Sequence, residues 1–293
     1  MWLSAGRPAG FFEVEVEMVR DLKAQLLSGR MAAEALSFVR EERVAVEPRP
    51  ASTVILLRDT SKGPEVYLLR RQQSMAFAAG MTVFPGGRVD PSDSSIADSW
   101  SGPSPEWFGE RLGCSAETAA AYVAAAVRET FEESGVLLAG PSTESVVGDT
   151  TGDDWEADRV ALESRELGFA DFLHRRGLVL RADLLGVWAH WITPEFEPRR
   201  YDTRFFVAAL PAGQVTRDVT SESDQVAWLR PADAVQAVEA EEMLMLPPTY
   251  LCCRDLIPYD AVADVLAAST EREVRPILPT VRVENDQAYL ETT

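Results

Sequence analysis

Arg128-Glu129-Thr130-Phe131-Glu132-Glu133-Ser134-Gly135-Val136 closes the most regular helical pattern in this chain of 293 residues. The pattern opens at Ser115, a residue type that commonly caps helix N-termini. Apolar residues then recur at helical spacing from Ala119 to Phe131. Gly135 is typical of the position just beyond a helix C-terminus. The sequence therefore predicts an amphipathic helix that begins after Ser115 and ends before Gly135.

Three glutamates crowd the last turns of this predicted helix. At about 100° per residue, Glu129, Glu132 and Glu133 project from one arc, within about 6 Å along the axis. Like-charge repulsion and the negative end of the helix make such crowding unfavourable. A divalent cation such as Mg²⁺, which prefers oxygen ligands, would offset it. A solvated acidic helix end is the alternative. However, the three glutamates together with Arg128 and Gly135 make five fixed positions, a set that arises by chance on the order of once in 10⁴ proteins.

A glycine loop precedes the helix in the sequence. Thr82-Val83-Phe84 is typical of a short strand that runs into Pro85-Gly86-Gly87, where the chain needs the backbone freedom of glycine. The segment between about 90 and 114 is rich in Pro, Ser, Gly and Asp, and we interpret it as a long ordered insertion or lid.

The helix and the glycine loop together resemble the Nudix hydrolase family, whose motif joins a glycine loop to a helix bearing Arg-Glu-x-x-Glu-Glu-x-Gly. The resemblance implies an α/β fold, an α/β/α sandwich around a mixed β-sheet, with an insertion inside the Nudix box. It also implies that Glu129, Glu132 and Glu133 bind Mg²⁺ or Mn²⁺, that Arg128 orients them, and that Gly87 contributes to the metal site. A further glutamate is expected eight residues before Arg128, where this sequence has Ala120.

Other stretches are similar to the peroxisomal coenzyme A diphosphatase-like branch of that family. They are the residues 77–87, Trp191-Ile-Thr-Pro, the residues 200–206 and Pro247-Pro-Thr. That branch usually has an arginine four residues before Gly80, where this chain has Ala76. The resemblance implies coenzyme A or acyl-CoA as the substrate. NADH, ADP-ribose, nucleoside diphosphate sugars and nucleoside triphosphates are alternatives, as is a non-catalytic nucleotide-binding module, which would be expected to lose the metal glutamates.

Basic residues near the loop and the central strands are candidates for phosphate contact, since guanidinium groups suit bidentate binding of phosphate. We predict substrate contacts from Gly86, Gly87, Arg88 and Arg204, with surface charge balance as the alternative for the arginines. Further arginines in these clusters are Arg70, Arg71, Arg199 and Arg200. Glu222 is a possible extra metal ligand or general base, or else an ordinary loop glutamate.

Composition excludes several classes of protein. The net charge of −19 argues against binding long nucleic acids, which attract clustered Lys and Arg. An acidic enzyme can still bind a small phosphorylated metabolite through a cation. Three cysteines, two of them adjacent, cannot make a disulfide framework, and neither histidine is expected to bind metal. No secretory signal or membrane span is visible, so we expect a cytoplasmic protein; the family resemblance suggests a homodimer.

Three regions are predicted along the chain: an N-terminal helical arm (1–47), a Nudix domain (48–240) and a C-terminal helical extension (241–293) with extended residues after Pro276. Hydrophobic runs in the central region predict its strands. They lie at 53–57, 66–70, 82–84, 184–191, 204–210 and 225–229. A further helical segment, at 155–176, is interpreted as an insertion over the substrate side.

Overall fold

A mixed eight-stranded β-sheet forms the centre of the computed structural model, which describes residues 25–72, 80–96, 99–218 and 223–292. Its strands are β2 (Arg49–Thr60), β3 (Gly63–Arg71), β4 (Thr82–Val83), β5 (Gly86–Arg88), β9 (Gly186–Ile192), β10 (Tyr201–Ala209), β11 (Ser223–Leu229) and β12 (Pro276–Ile277). The main path runs β11-β3-β2-β10-β9-β12, with β4 paired to β3 and β5 paired to β2. Strands β2 and β10 pair in parallel, as do β9 and β12, and the other neighbours are antiparallel.

Helices cover both faces of this sheet. They are α1 (Gly29–Arg40), α2 (Pro105–Leu112), α3 (Ala116–Ser134), α4 (Asp153–Glu163), α5 (Phe169–Arg176), α6 (Pro231–Glu239), α7 (Pro247–Leu256) and α8 (Val262–Glu271). One apolar core lies between the sheet and the layer of α2 to α5, and the other lies beneath α1 and α6 to α8. The predicted α/β/α sandwich around a mixed sheet is thus what the chain forms.

Strand β2 shows why the sheet is buried on both sides. Its burial pattern keeps four consecutive apolar residues, Val54 to Leu57, wholly inaccessible to solvent. Alternate side chains of a strand point to opposite faces, so Val54 and Leu56 pack in the core with α3, while Ile55 and Leu57 pack in the other core. Such continuous apolar runs are typical of strands covered on both faces.

Helix α3 begins and ends where the sequence predicted. The Ser115 side chain accepts a hydrogen bond from the backbone N–H of Thr118, and Gly135 follows the helix with φ of 74°. Most of its length is buried, because alanines allow close approach to β2 and to α2. This rigid, central helix carries the glutamates on its last two turns.

The two ends of the described chain meet in a separate small sheet. Strand β1 (Gln25–Leu26) pairs with β14 (Gln287–Glu291), which forms a hairpin with β13 (Thr280–Glu284). The extended residues predicted after Pro276 therefore become strands. Of the predicted N-terminal arm, α1 lies within the described residues and 1–24 lie outside them. The predicted division into three regions stays a prediction.

The segment interpreted as an insertion or lid is part of the core. It contains a short 3-10 helix at Pro91–Ser95, strand β6 (Trp100–Ser101) and α2, and its Ile96, Phe108 and Leu112 are buried beside α3. Strand β6 pairs with β8 (Val179–Arg181), which also pairs with β7 (Ala139–Gly140). Burial of this apolar surface argues against a lid that swings freely, so the segment matches the ordered insertion and not the lid.

The helical segment predicted at 155–176 forms two helices, α4 and α5, which are separated by residues 164–168. Aromatic contacts join the pair to α3. The rings of Phe172 and Phe131 stack with centroids 5.5 Å apart, and the Trp155 ring meets both edge to face at 6.3 Å. The segment thus packs against the C-terminal half of α3. Among the residues described, no helix has the length and apolar character that a membrane crossing requires.

Candidate active site

The glycine loop and the end of α3 meet in space. Strand β5 pairs with β2 so that Gly87 lies opposite Ser52. The backbone N–H of Gly86 donates a hydrogen bond of 2.7 Å to Glu133 Oε2. A Cβ atom on Gly87 would overlap the carboxylate of Glu129. The loop therefore fits against two of the three glutamates, and glycine at 87 is what allows the approach.

Arg128 connects the other parts of the site. Its Nη1 donates to Glu129 Oε1 at 2.8 Å and to Glu132 Oε1 at 3.1 Å. Its Nε and Nη2 each donate to one carboxylate oxygen of Asp93 at 2.9 Å, and Nη2 also donates to the backbone carbonyl of Arg88 at 2.9 Å. One guanidinium thus ties the helix, the glycine loop and the 3-10 turn together, through the forked geometry that arginine alone provides.

The charged side chains of the site are buried, and burial shifts the pKa values of its carboxyl groups. The residues Arg128, Glu132 and Glu133 are 8%, 8% and 7% exposed. Burial, followed by the charge of Glu129, raises the pKa of Glu132 to about 7, against the opposing effect of Arg128. Burial also raises the pKa of Asp93 although Arg128 opposes the shift. The site therefore holds more negative charge than its one arginine compensates.

The donor set fits a hard divalent cation. Buried carboxylate oxygens at a loop of small residues are the ligands that Mg²⁺ and Mn²⁺ prefer. Over the described ranges, no three acidic, His or Cys side chains are already arranged around one point that would hold an ion. Oxygens of these glutamates accept hydrogen bonds from Arg128 and from the Gly86 N–H. An ion would thus have to replace some of these hydrogen bonds.

The acidic partner of Arg128 differs from the expected one. Ala120, at the position where a glutamate was expected, is 7% exposed and packs in the apolar core. The carboxylate that faces Arg128 belongs instead to Asp93, whose side chain is fully buried. Asp93 lies six residues after Gly87, at the start of the insertion rather than on the helix that follows it. That short spacing was the sequence signal that could have identified it.

Arg204 lies in a second buried cluster, on β10 opposite Ser52 of β2, the residue that pairs with Gly87 on its other side. It is 5% exposed, its Nη1 contacts Asp202 and His190, and its guanidinium lies 4.9 Å from the centre of the Tyr122 ring. Its Nη2 donates to the Leu112 carbonyl at 3.3 Å. The structure thus directs Arg204 into a polar cluster under α3.

The other predicted contacts are dispersed. Arg88 is exposed, and its backbone is held by Arg128. Arg200 is 7% exposed and donates to the carbonyls of Thr193 and Val46. Arg70 and Arg71 are half-buried on β3, Arg199 is exposed, and Glu222 lies outside the described residues.

Comparison with known proteins adds a family context to this geometry. Residues 109–256, half of the chain, match the family described as NUDT19 Nudix domain. A protein of Caenorhabditis elegans named putative nudix hydrolase 7 is 28% identical over 205 residues, which cover 68% of this chain and 57% of that protein. The human protein named acyl-coenzyme A diphosphatase NUDT19 is 28% identical over 244 residues, or 70% of this chain and 64% of that protein. The chain spans less than two thirds of the length of these relatives.

A solved structure supports the fold. The crystal structure of a NUDIX hydrolase from Alicyclobacillus acidocaldarius aligns with a TM-score of 0.67 at 25% identity, covering 76% of this chain and 96% of that one. The fold class predicted from α3 and the glycine loop is therefore confirmed.

Proposed function

Because the chain belongs to the NUDT19 Nudix domain family, we propose that it is a divalent-cation-dependent hydrolase that cleaves the diphosphate linkage of coenzyme A or an acyl-coenzyme A. The observation that carries the proposal is the contact of the half-buried Glu129 and the buried Glu133 with the Gly86-Gly87 loop, beside Glu132. The substrate class is supported by the name of the human relative, acyl-coenzyme A diphosphatase.

Mg²⁺ or Mn²⁺ is the proposed cofactor. The side chains of Glu129, Glu132 and Glu133 would hold it, with Gly87 as a backbone ligand. When bound, the ion supplies charge neutralisation and polarisation of the diphosphate oxygens. The raised pKa of Glu132 supports this assignment. It means that the ionised carboxylate is unfavourable in this site, and a bound cation would stabilise that charged form.

Arg128 keeps the carboxylates in position. Two of its nitrogens are engaged by Asp93, which leaves Nη1 to hold Glu129 and Glu132. A guanidinium fixed in this way restricts the rotation of both glutamates. Such preorganisation lowers the barrier because the groups need not be ordered during the reaction.

The proposed reaction is hydrolysis at one phosphorus atom of the diphosphate. Water adds its oxygen to that phosphorus, the bond to the bridging oxygen breaks, and the products are two phosphate monoesters. Coenzyme A would give 4′-phosphopantetheine and adenosine 3′,5′-bisphosphate. Backbone groups of Gly86 and Gly87 and the guanidinium of Arg88 are the proposed phosphate contacts. Glu222, predicted as an extra metal ligand or general base, lies outside the described residues and stays a prediction.

Arg88, rather than Arg204, is the arginine proposed to contact the phosphate directly. Arg88 extends from the loop into solvent, whereas the guanidinium of Arg204 is buried against Asp202 and His190. A buried, paired guanidinium is held by its own neighbours and is costly to withdraw from them. The homodimer and the cytoplasmic location stay predictions.

A substrate panel tests this function. The protein with Mg²⁺ is incubated with coenzyme A, acyl-CoA, NADH, ADP-ribose and nucleoside triphosphates, and the products are identified by mass. We expect 4′-phosphopantetheine or its acyl form from the first two. Cleavage of NADH or ADP-ribose alone would assign a different substrate class. If no substrate of the panel is hydrolysed, a non-catalytic binding module is favoured.

Matched variants test the site in the same assay. Glu132→Gln and Glu133→Gln keep the side-chain shape but remove a charged ligand, so each should lower turnover by a factor of about 10² or more. Glu117→Gln is the control, because Glu117 is exposed in the first turn of the same helix. Full activity of the Glu132→Gln/Glu133→Gln double variant would refute the assignment.

A further inference from the structure

The C-terminal end of α3 is capped by groups from elsewhere in the chain. The last carbonyls of a helix have no partner within the helix. Here Arg159 Nη1 donates to the Glu132 carbonyl at 2.8 Å, and the backbone N–H of Arg217 donates to the Ser134 carbonyl at 2.9 Å. The hydroxyl of Thr150 donates to the Gly135 carbonyl at 2.6 Å. Three separate donors therefore satisfy the end that bears the glutamates.

Arg159 is the charged member of this cap and is only 2% exposed. Two glutamates hold its guanidinium: Glu156 accepts from Nη2 at 2.8 Å, and Glu163 accepts from Nη1 at 2.9 Å. Glu156 also accepts from Arg217 Nη1 at 2.9 Å. A guanidinium at this depth is tolerated because it is paired and hydrogen-bonded. Its contact with α3 is to the backbone of Glu132, one of the proposed metal ligands.

The position of Arg159 also compensates charge. A helix C-terminus carries about half a negative charge, and a cation placed there is stabilising. In α3 the same turn carries Glu132 and Glu133, which increase the local negative charge. The guanidinium of Arg217 lies at this end too, since a Cβ atom on Gly135 would come within 2.8 Å of its Nε. Guanidinium groups from α4 and from the 211–218 loop thus lie at this end of α3, where Glu156 and Glu163 hold them.

We propose that Arg159 is a positioning residue of the metal site. By holding the Glu132 carbonyl it fixes the last turn of α3, and with that turn the direction in which the carboxylates of Glu132 and Glu133 leave the helix. The inference rests on the proposed function, because it assigns Arg159 a role in placing ligands for a divalent cation. It gives the α4 segment, which the family motif does not include, a part in the site.

Two variants of Arg159 and one control separate this role from plain structural support. Arg159→Met removes both the hydrogen-bond donors and the charge. Arg159→Lys keeps the charge but loses the planar guanidinium, which donates to several acceptors at once. The control is Arg176→Met, in the same segment. Arg176 donates to Asp158 at 2.6 Å and to Asp154 at 2.7 Å, and it has no hydrogen bond to α3 in the described chain.

The readouts do not depend on turnover. Hydrogen exchange of the backbone amides of 132–135 is measured in the metal-free protein, Mn²⁺ affinity is measured by electron paramagnetic resonance, and the unfolding temperature is recorded for each variant. Arg159→Met should speed exchange at 132–135 and weaken Mn²⁺ binding, each by about tenfold, as expected for the loss of a charged hydrogen bond. Arg159→Lys should be intermediate. Arg176→Met should lower the unfolding temperature and leave both other quantities within about twofold.

The outcomes separate the inference from the proposed function. If Arg159→Met lowers the unfolding temperature but leaves exchange and Mn²⁺ affinity like those of Arg176→Met, the residue is only structural and the inference is overturned. If the unaltered protein binds no Mn²⁺, the proposed metal function itself fails and the inference falls with it. Should Arg159→Met not fold, Glu163→Gln removes the charge that accepts from Arg159 Nη1, and it should shift the same two readouts in the same direction.

Discussion

Asp93 and Arg128 form a bidentate ion pair across 35 residues of sequence, with both N···O distances at 2.9 Å. The Asp93 side chain is fully buried, and that of Arg128 is 9% exposed. Asp93 lies in the 3-10 turn that the N-terminal part of the insertion forms, and its Oδ2 also accepts from the backbone N–H of Asp90 at 2.7 Å. The insertion therefore contributes a carboxylate to the site instead of merely interrupting the motif.

Removing Asp93 should disable the site and destabilise the fold. Asp93→Ala leaves a buried guanidinium without its main partner, which typically costs about 3–5 kcal/mol in the free energy of unfolding. Arg128 would then no longer hold Glu129 and Glu132 in place. We expect Mg²⁺-dependent turnover to fall by about 10- to 100-fold, as for other residues that orient metal ligands. Urea unfolding and initial rates at saturating Mg²⁺ measure the two effects.

Ser94→Ala is the control for this prediction. Ser94 lies on the same turn, is exposed, and among the described residues its hydroxyl donates to the Pro91 carbonyl at 2.8 Å. Its loss should change stability by no more than about 0.5 kcal/mol and leave turnover unchanged. Equal effects of Ser94→Ala and Asp93→Ala would show that integrity of the turn, and not the ion pair, supports activity.

The sequence predicted those features that depend on local pattern. Helix α3 has a cap, helical spacing and a terminal glycine within a single stretch, and all three lie where they were expected. Six strands of the central sheet were also found, because apolar runs bounded by turn residues are local signals, whereas β5 lies where a glycine loop was predicted. The sheet order and the parallel pairing of β2 with β10 are tertiary facts that these patterns do not encode.

The positions of two side chains, Asp93 and Arg204, were not predicted from the sequence. The sequence analysis missed Asp93 as the partner of Arg128, because Asp93 reaches it from a turn 35 residues earlier in the chain. Arg204 was predicted to contact phosphate, yet it shares a face of β10 with the fully buried Phe206. Alternation along the strand directs position 204 toward the core with α3. That alternation was visible in the sequence and argues for a buried role.

A methyl group at Gly87 should disrupt the site more than the fold. The added Cβ of Gly87→Ala would overlap the carboxylate of Glu129, the far end of a flexible side chain that can move aside. We expect Mn²⁺ affinity to fall by about tenfold or more, with a stability loss of about 1 kcal/mol. Mn²⁺ titration and urea unfolding test this. Gly148→Ala is the control, because nothing lies within 4 Å of a Cβ there; similar Mn²⁺ losses in both variants would contradict the steric explanation.

Arg88 should contribute to substrate binding rather than to stability. It is exposed, and its side chain makes no ion pair with the other described residues. Loss of one charged phosphate contact in Arg88→Ala should raise KM for coenzyme A by about tenfold with little change in kcat. Steady-state kinetics measure both constants. Arg254→Ala, at an exposed position on α7, should leave KM unchanged; a normal KM in Arg88→Ala would remove this residue from the proposed site.

Glu132 should make the stability of the metal-free protein depend on pH. Burial and the charge of Glu129 raise its pKa from 4.5 to about 7. Between these values the folded state binds more protons than the unfolded state, so the free energy of unfolding decreases as pH rises. The contribution is on the order of 1–3 kcal/mol, present below about pH 4.5 and lost by about pH 7. Mg²⁺, which binds the ionised form, should therefore stabilise the protein more at pH 8 than at pH 5.

Urea unfolding with a chelator at pH 5 and pH 8 measures this effect. The decrease between the two pH values should be smaller in Glu132→Gln than in the unaltered protein, because glutamine does not titrate. Glu110→Gln, an exposed position on α2, should keep the full decrease. Parallel pH profiles for Glu132→Gln and the unaltered protein would mean that Glu132 is already ionised at pH 5, and that the cluster tolerates its charge without a cation.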